Sequence, residues 1–115
     1  MNAPKNIIII NDERAGQNTA FRDMNDFSRT MLAGGWTDND IQEFVDDEHA
    51  GIHDAELVHE LEDGGLYVYE EAHNMGWGRY ETRYVYYRVW RDGSLRHVDN
   101  LDHPADAEEL DEMCQ

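Results

Sequence analysis

At Gly64-Gly65 the spacing of apolar residues changes, and that change limits this chain to a fold of mixed class. Before the two glycines, apolar residues recur three and four positions apart, as on a helix face. After them, Tyr and Val dominate and alternate with other residues, as on a strand. A first helix is expected over about residues 19–33, where Phe21, Met24, Phe27, Met31 and Leu32 share one face and Gly34-Gly35 ends it. Thr37 and Asp40 have the spacing of a capping box. The helix they open, 38–48, turns Ile41, Phe44 and Val45 inward. Asp54 is placed to cap a third helix with the stripe Leu57, Val58 and Leu61.

Beyond the glycines, 66–69 and 80–91 predict strands joined through 74–78. Asp92-Gly93 predicts a hairpin turn into 95–98. Pro104 stands near the start of a final acidic helix over about 105–113. The run Ile7-Ile8-Ile9-Ile10 predicts a short strand buried on both faces, and its pattern leaves open whether it joins the other strands. At 115 residues the chain suits one domain spanning 1–115. The expected architecture is α+β: a short N-terminal strand, two to three helices, a three-stranded antiparallel β-meander and a C-terminal acidic helix.

Charge narrows the function. With 26 Asp and Glu against 9 Lys and Arg, the formal charge is −17, which repels free nucleic acid and anionic membrane surfaces alike. The expected partner is a basic protein or complex, above all one with a nucleic-acid-binding groove. Residues 30–78 hold 13 carboxylates and no Lys or Arg, and 99–115 hold seven more. Arg79, Arg83, Arg88, Arg91 and Arg96 all fall between those stretches. Salt adaptation would spread acids evenly, so this clustering favours a dedicated acidic face. That face is expected to use Asp38, Asp40, Glu43, Asp46 and Asp47 from one helix and Glu56, Glu60, Glu62 and Asp63 from the next. Like charges three and four positions apart cost an isolated helix roughly 0.2–0.5 kcal/mol per pair, so their accumulation points to a use.

A second candidate surface is aromatic. Strand alternation sorts Leu66, Val68, Val85, Tyr87 and Val89 toward the helices, and Tyr67, Tyr69, Tyr84, Tyr86, Arg88 and Trp90 to the other side. Tyr, Trp and Arg anchor interfaces well, so Tyr84, Tyr86 and Trp90 are candidate contacts for a protein target or a homodimer.

Nothing in the sequence assembles into a reaction class. His49 and His53 have the i, i+4 spacing of two ligands on one helix, but Gly51 lies between them and no HExxH follows. Asp99, Asp102 and His103 read as ordinary capping groups. Nucleophile-elbow, P-loop and dinucleotide motifs are missing, and Gly76-Trp77-Gly78 is too short to cradle phosphate. Cys114 sits beside Asp111 and Glu112, a poor setting for a thiolate, and one cysteine makes no internal disulfide. The expectation is a binding protein without enzymatic activity, cofactor or metal. A cytoplasmic location follows from the absence of a signal peptide or a membrane-length apolar run.

In size and charge pattern the chain resembles phage or mobile-element inhibitors that block restriction enzymes, CRISPR complexes or other nucleic-acid-binding proteins. The likeness is one of composition. It implies an acidic protein of anti-CRISPR or anti-restriction type, acting as a nucleic-acid mimic on a host defence or DNA-handling protein. The alternatives are an interaction or assembly module using the Tyr/Trp face, and a salt-adapted protein of other function.

Overall fold

The four consecutive isoleucines of β1 (Asn6–Ile10) organise the molecule, since each is at most 8% exposed. A strand buried on both faces belongs in the middle of a sheet, with a neighbour at each edge. β2 (Thr19–Phe21) supplies one neighbour and β3 (Ile52–Leu61) the other. The sheet runs on through β4 (Gly64–Gly76), β5 (Arg79–Trp90) and β6 (Leu95–Leu101) in the order β2-β1-β3-β4-β5-β6, and every pair is antiparallel. The computed structural model describes residues 3–16 and 18–114. Its helices are α1 (Met24–Ala33), α2 (Asp38–Asp46) and α3 (Ala107–Met113), with one 3-10 turn at Glu13–Ala15.

The sheet curls into a half-barrel. Ile7, Ile9, Ala55, Tyr67, Tyr69, Val85, Tyr87 and Val89 form one buried cluster on its inner side. Ala20 of β2 and Leu95 of β6 both pack against that cluster, although their strands stand at opposite ends of the order. Interior tyrosines need partners for their hydroxyls. The Tyr67 hydroxyl donates to the Pro4 carbonyl at 2.6 Å, and that of Tyr87 to Asn18 Oδ1 at 3.3 Å. On the outer side, Ile8, Ile10 and Phe21 receive α1 and α2 through Phe27 and Phe44, while Leu66 and Tyr86 receive α3 through Met113. All three helices therefore lie on the convex side.

Several sequence expectations are corrected here. The sheet has six strands, not three, and the N-terminal strand, whose membership its pattern leaves open, is the second of them. Residues 52–61 are β3, not a third helix. The stripe Leu57, Val58 and Leu61 fits a helix, but Asp54-Ala55-Glu56-Leu57 also alternates with period two. The need of β1 for a second neighbour decides between them. Thr19–Phe21 is likewise a strand paired with β1, and α1 begins only after Asp23, whose side chain accepts from the Asp26 amide at 2.8 Å.

The alternation within β4 and within β5 is as expected, but the face of β4 that joins each face of β5 is the opposite one. Tyr67 pairs with Tyr87 and Tyr69 with Val85, so these four share the inner face, whereas Leu66 and Val68 lie with Tyr84, Tyr86 and Arg88 on the outer one. Pairing register moves every side chain of a strand by one face per residue, and the hairpin turn and any bulge beside it set it together. The Trp77-Gly78 turn, tighter than the loop expected over 74–78, pairs Gly76 with Arg79 and by itself would set Leu66 against Val89; the bulge between Asn74 and Gly76 shifts the pairing by one, so Leu66 meets Arg88 instead.

β4 and β5 also outrun their neighbours. β3 pairs with β4 only as far as Val68, and β6 with β5 only from Tyr84 onward. Residues 70–83 thus form a two-stranded arm projecting from the body. The molecule measures 46 × 45 × 18 Å, and its radius of gyration of 15.1 Å exceeds the about 13 Å usual for this length.

Candidate binding surface

The sequence-predicted acidic residues divide between two kinds of element. α2 opens as expected, with the Thr37 hydroxyl accepting from the Asp40 amide at 3.1 Å and the Asp40 carboxylate accepting from the Thr37 amide at 2.9 Å. Asp40 is therefore a cap first and a surface charge second. Asp47 is also engaged, 3.0 Å from Arg14 Nη2. The His49 amide hydrogen bond, with Arg14 behind it, holds the Asp47 carboxyl below its usual range. Asp38, Glu43 and Asp46 are exposed and meet no cation among the described residues; Glu43 and Asp46 accept only from the neutral amides of Asn39 and Gln42. α3 repeats the arrangement, with Asp106 and Glu109 forming its capping box and Glu108, Asp111 and Glu112 left exposed.

Glu56, Glu60, Glu62 and Asp63 do not share a helix face with these. Glu56 projects from the outer side of β3. A bulge between Leu57 and His59 then reverses the alternation, so Glu60 faces Tyr67 on the inner side and accepts from the Ala3 amide at 3.2 Å. Glu62 lies exposed in the β3–β4 turn, and Asp63 pairs with Arg88.

Between the α1–α2 block and α3, the outer face holds a groove of about 690 Å³. Asp54, Glu56 and Glu70 edge it, Val68, Tyr84 and Tyr86 floor it, and no Lys or Arg lines it. None of the three carboxylates makes a hydrogen bond or ion pair among the described residues. Of the aromatic candidates, Tyr86 is only 2% exposed, covered by α3, and its hydroxyl accepts from the Ala105 amide at 2.8 Å. Tyr84 is half-buried in the groove. Trp90 lies elsewhere, at the seam of the half-barrel, with the Arg88 guanidinium 4.5 Å above its ring.

The histidines serve different ends. His49 is exposed in the turn after α2, while His53 sits on β3 with its ring stacked 4.1 Å from that of Tyr69, so no helix face joins them. Among the described residues, no three His, Cys, Asp or Glu side chains are grouped to hold a metal ion. His103 is clamped between Asp102 at 2.7 Å and Glu109 at 2.9 Å, and those carboxylates raise its pKa, Asp102 first. Burial lowers that of His53, against the pull of Glu71 and Asp54.

An NMR titration of the imidazole protons should find His103 changing charge above the ordinary value near 6.5 and His53 below it. The stabilisation from His103 is complete below that ordinary value and fades as pH rises through its raised folded value. The neutral His53 is fully accommodated above the ordinary value, and its site loses stability as pH falls toward its lowered folded value.

Sequence reasoning missed Asp54 and Glu70 as groove carboxylates and Trp77 as a surface feature. The alternation at 54–57 and a tryptophan between two glycines were the available signals. Among the described residues, no helix is long and apolar enough to cross a membrane. Comparison with known proteins finds no family model, no curated protein and no solved structure that matches the chain.

Proposed function

We propose that this protein acts by stoichiometric binding, its acidic helices imitating a nucleic-acid backbone and occupying the basic groove of a host defence or DNA-handling protein. In type it is an anti-CRISPR or anti-restriction inhibitor encoded by a phage or mobile element. One observation carries the reading. The last turns of α2 and α3 hold Glu43, Asp46, Asp111 and Glu112 and no basic residue. Carboxylates at a helix C-terminus oppose the macrodipole, at a cost of typically 0.3–1 kcal/mol each. A protein selected for stability alone would replace them with Lys or Arg. Their retention, with Asp38 and Glu108 also exposed and without a cation, fits selection for a negative surface. Such a surface speeds association with a cationic partner, and its preformed geometry lowers the ordering cost of binding.

The test is capture from bacterial lysate on immobilised protein, with stepped salt elution and competition by duplex DNA or RNA. The expected result is a nucleic-acid-binding protein that salt releases and nucleic acid displaces. The triple reversal Asp38→Lys, Glu43→Lys and Asp46→Lys spares the cap and the Arg14 pair. It should weaken that binding roughly a hundredfold or more while circular dichroism stays unchanged. Full binding by the folded triple variant, or capture indifferent to nucleic acid, overturns the assignment.

A further inference from the structure

The arm formed by residues 70–83 ends in the most exposed apolar side chains of the described structure. Trp77 is 101% exposed, Tyr80 68% and Met75 54%. Trp77 has φ +56°, between Gly76 at +89° and Gly78 at +74°. That backbone region is costly for a large side chain, and such outliers persist where the surroundings or a function require them. Here the outcome is an indole aimed wholly away from the protein. Arg79 stands beside it, exposed and without an ion pair among the described residues. The tip is thus a cationic, aromatic knob.

The groove at the root of the same arm is its complement, with free carboxylates Asp54, Glu56 and Glu70 over a floor of Val68 and Tyr84. Along the outer face of the arm, Glu70 pairs with Tyr84, Ala72 with Thr82, and Asn74 with Tyr80. Midway between root and tip, that face therefore carries two small uncharged residues, Ala72 and Thr82, where a second ribbon could cross closely. From Val68 to Gly76 the arm runs roughly 27 Å, at about 3.4 Å per residue. Two arms crossed antiparallel at Ala72 and Thr82 set each tip against the other's root.

We infer that the arm pairs two copies of this chain in a closed two-fold dimer, each Trp77 and Tyr80 seated in the partner's groove and each Arg79 facing the partner's carboxylates. The arrangement is self-complementary, as a two-fold interface must be. Surface area agrees. The chain exposes 7686 Å², roughly 1,200 Å² above what a monomer of its mass ordinarily shows. A stable interface takes about 800 Å² from each partner. The inference rests on the arm and groove, and stands or falls separately from the inhibitor reading.

Sedimentation equilibrium of the full chain at up to about 100 μM tests it. At about 0.15 M salt the Debye length is near 8 Å, so the mutual repulsion of two −17 chains is screened while contact pairs persist. The mass should be that of a dimer. At about 0.01 M salt, where the Debye length is near 30 Å, the dimer should dissociate. Trp77→Gly keeps a residue suited to positive φ, and Arg79→Glu leaves the fold untouched. Each should raise the dissociation constant at least tenfold with unchanged circular dichroism. Glu70→Arg combined with Arg79→Glu should restore association. A wild-type monomer at 0.15 M salt, or a dimer that Trp77→Gly leaves intact, overturns the inference.

Discussion

A Gly64→Ala variant is expected to lose roughly 3 kcal/mol or more of folding stability. Gly64 opens β4 directly after the Glu62-Asp63 turn and pairs with Trp90. Its φ of +156° lies outside the range other residues adopt readily. A Cβ there would stand 2.0 Å from the Val89 carbonyl oxygen and 2.9 Å from the Trp90 Cα, and both are backbone atoms. Relief would require β5 to move, and β5 holds Val85, Tyr87 and Val89 inside the half-barrel. Urea denaturation is the measurement: the midpoint should fall with little change in slope. Gly34→Ala is the control. Its Cβ would meet only ordinary contacts at 3.5 Å, so its effect should stay within about 0.5 kcal/mol. Equal midpoints for the two variants would show that β5 yields freely.

The second large effect is expected at Phe27, which is fully buried. Its ring lies 5.2 Å from that of Phe21, 5.5 Å from Phe44 and 6.2 Å from Trp36. This cluster seats α1 and α2 on Ile8 and Ile10. Phe27→Ala should cost about 3–5 kcal/mol, combining the lost transfer energy with the cavity left behind. Total stabilities of small domains run about 5–15 kcal/mol, so that loss is a large share. Trp36 borders the cluster, and its fluorescence should report the loosening along with the denaturation midpoint. A loss below about 1 kcal/mol would mean that the helices are held by something other than this contact. If α2 binds a partner as proposed, the same substitution should weaken that binding too, because the acidic turn of α2 depends on that seat.

Parts of this fold were legible because one local signal decided them. The Thr37–Asp40 spacing made the capping box, the Asp92-Gly93 turn led into β6, and the acidic C-terminal helix formed with Asp106 as its cap. The four isoleucines did read as buried on both sides. β3 was not legible, because residues 52–61 satisfy a helical stripe and a strand alternation at once, and only pairing with β1 separates the two. The acidic face suffered the same ambiguity. Read as helical, Glu56 and Glu60 share a surface with the charges of α2. As a bulged strand they face opposite sides, and Asp54 replaces Glu60 beside the groove. The relative sorting of β4 and β5 was not legible for a different reason: the register depends on the bulge between Asn74 and Gly76, which period alone does not encode.

The inner cluster of the half-barrel draws side chains from all six strands and from no helix. What encloses it is the sheet's own curvature, so the helices of the convex side are not part of the container. Exposed residues on α2 and α3 outside the capping boxes can therefore change with little demand on the strand framework beneath, and on the proposed inhibitor reading such changes would alter which cationic surface they fit. The architecture separates an interior that tolerates little change from helix surfaces that can vary.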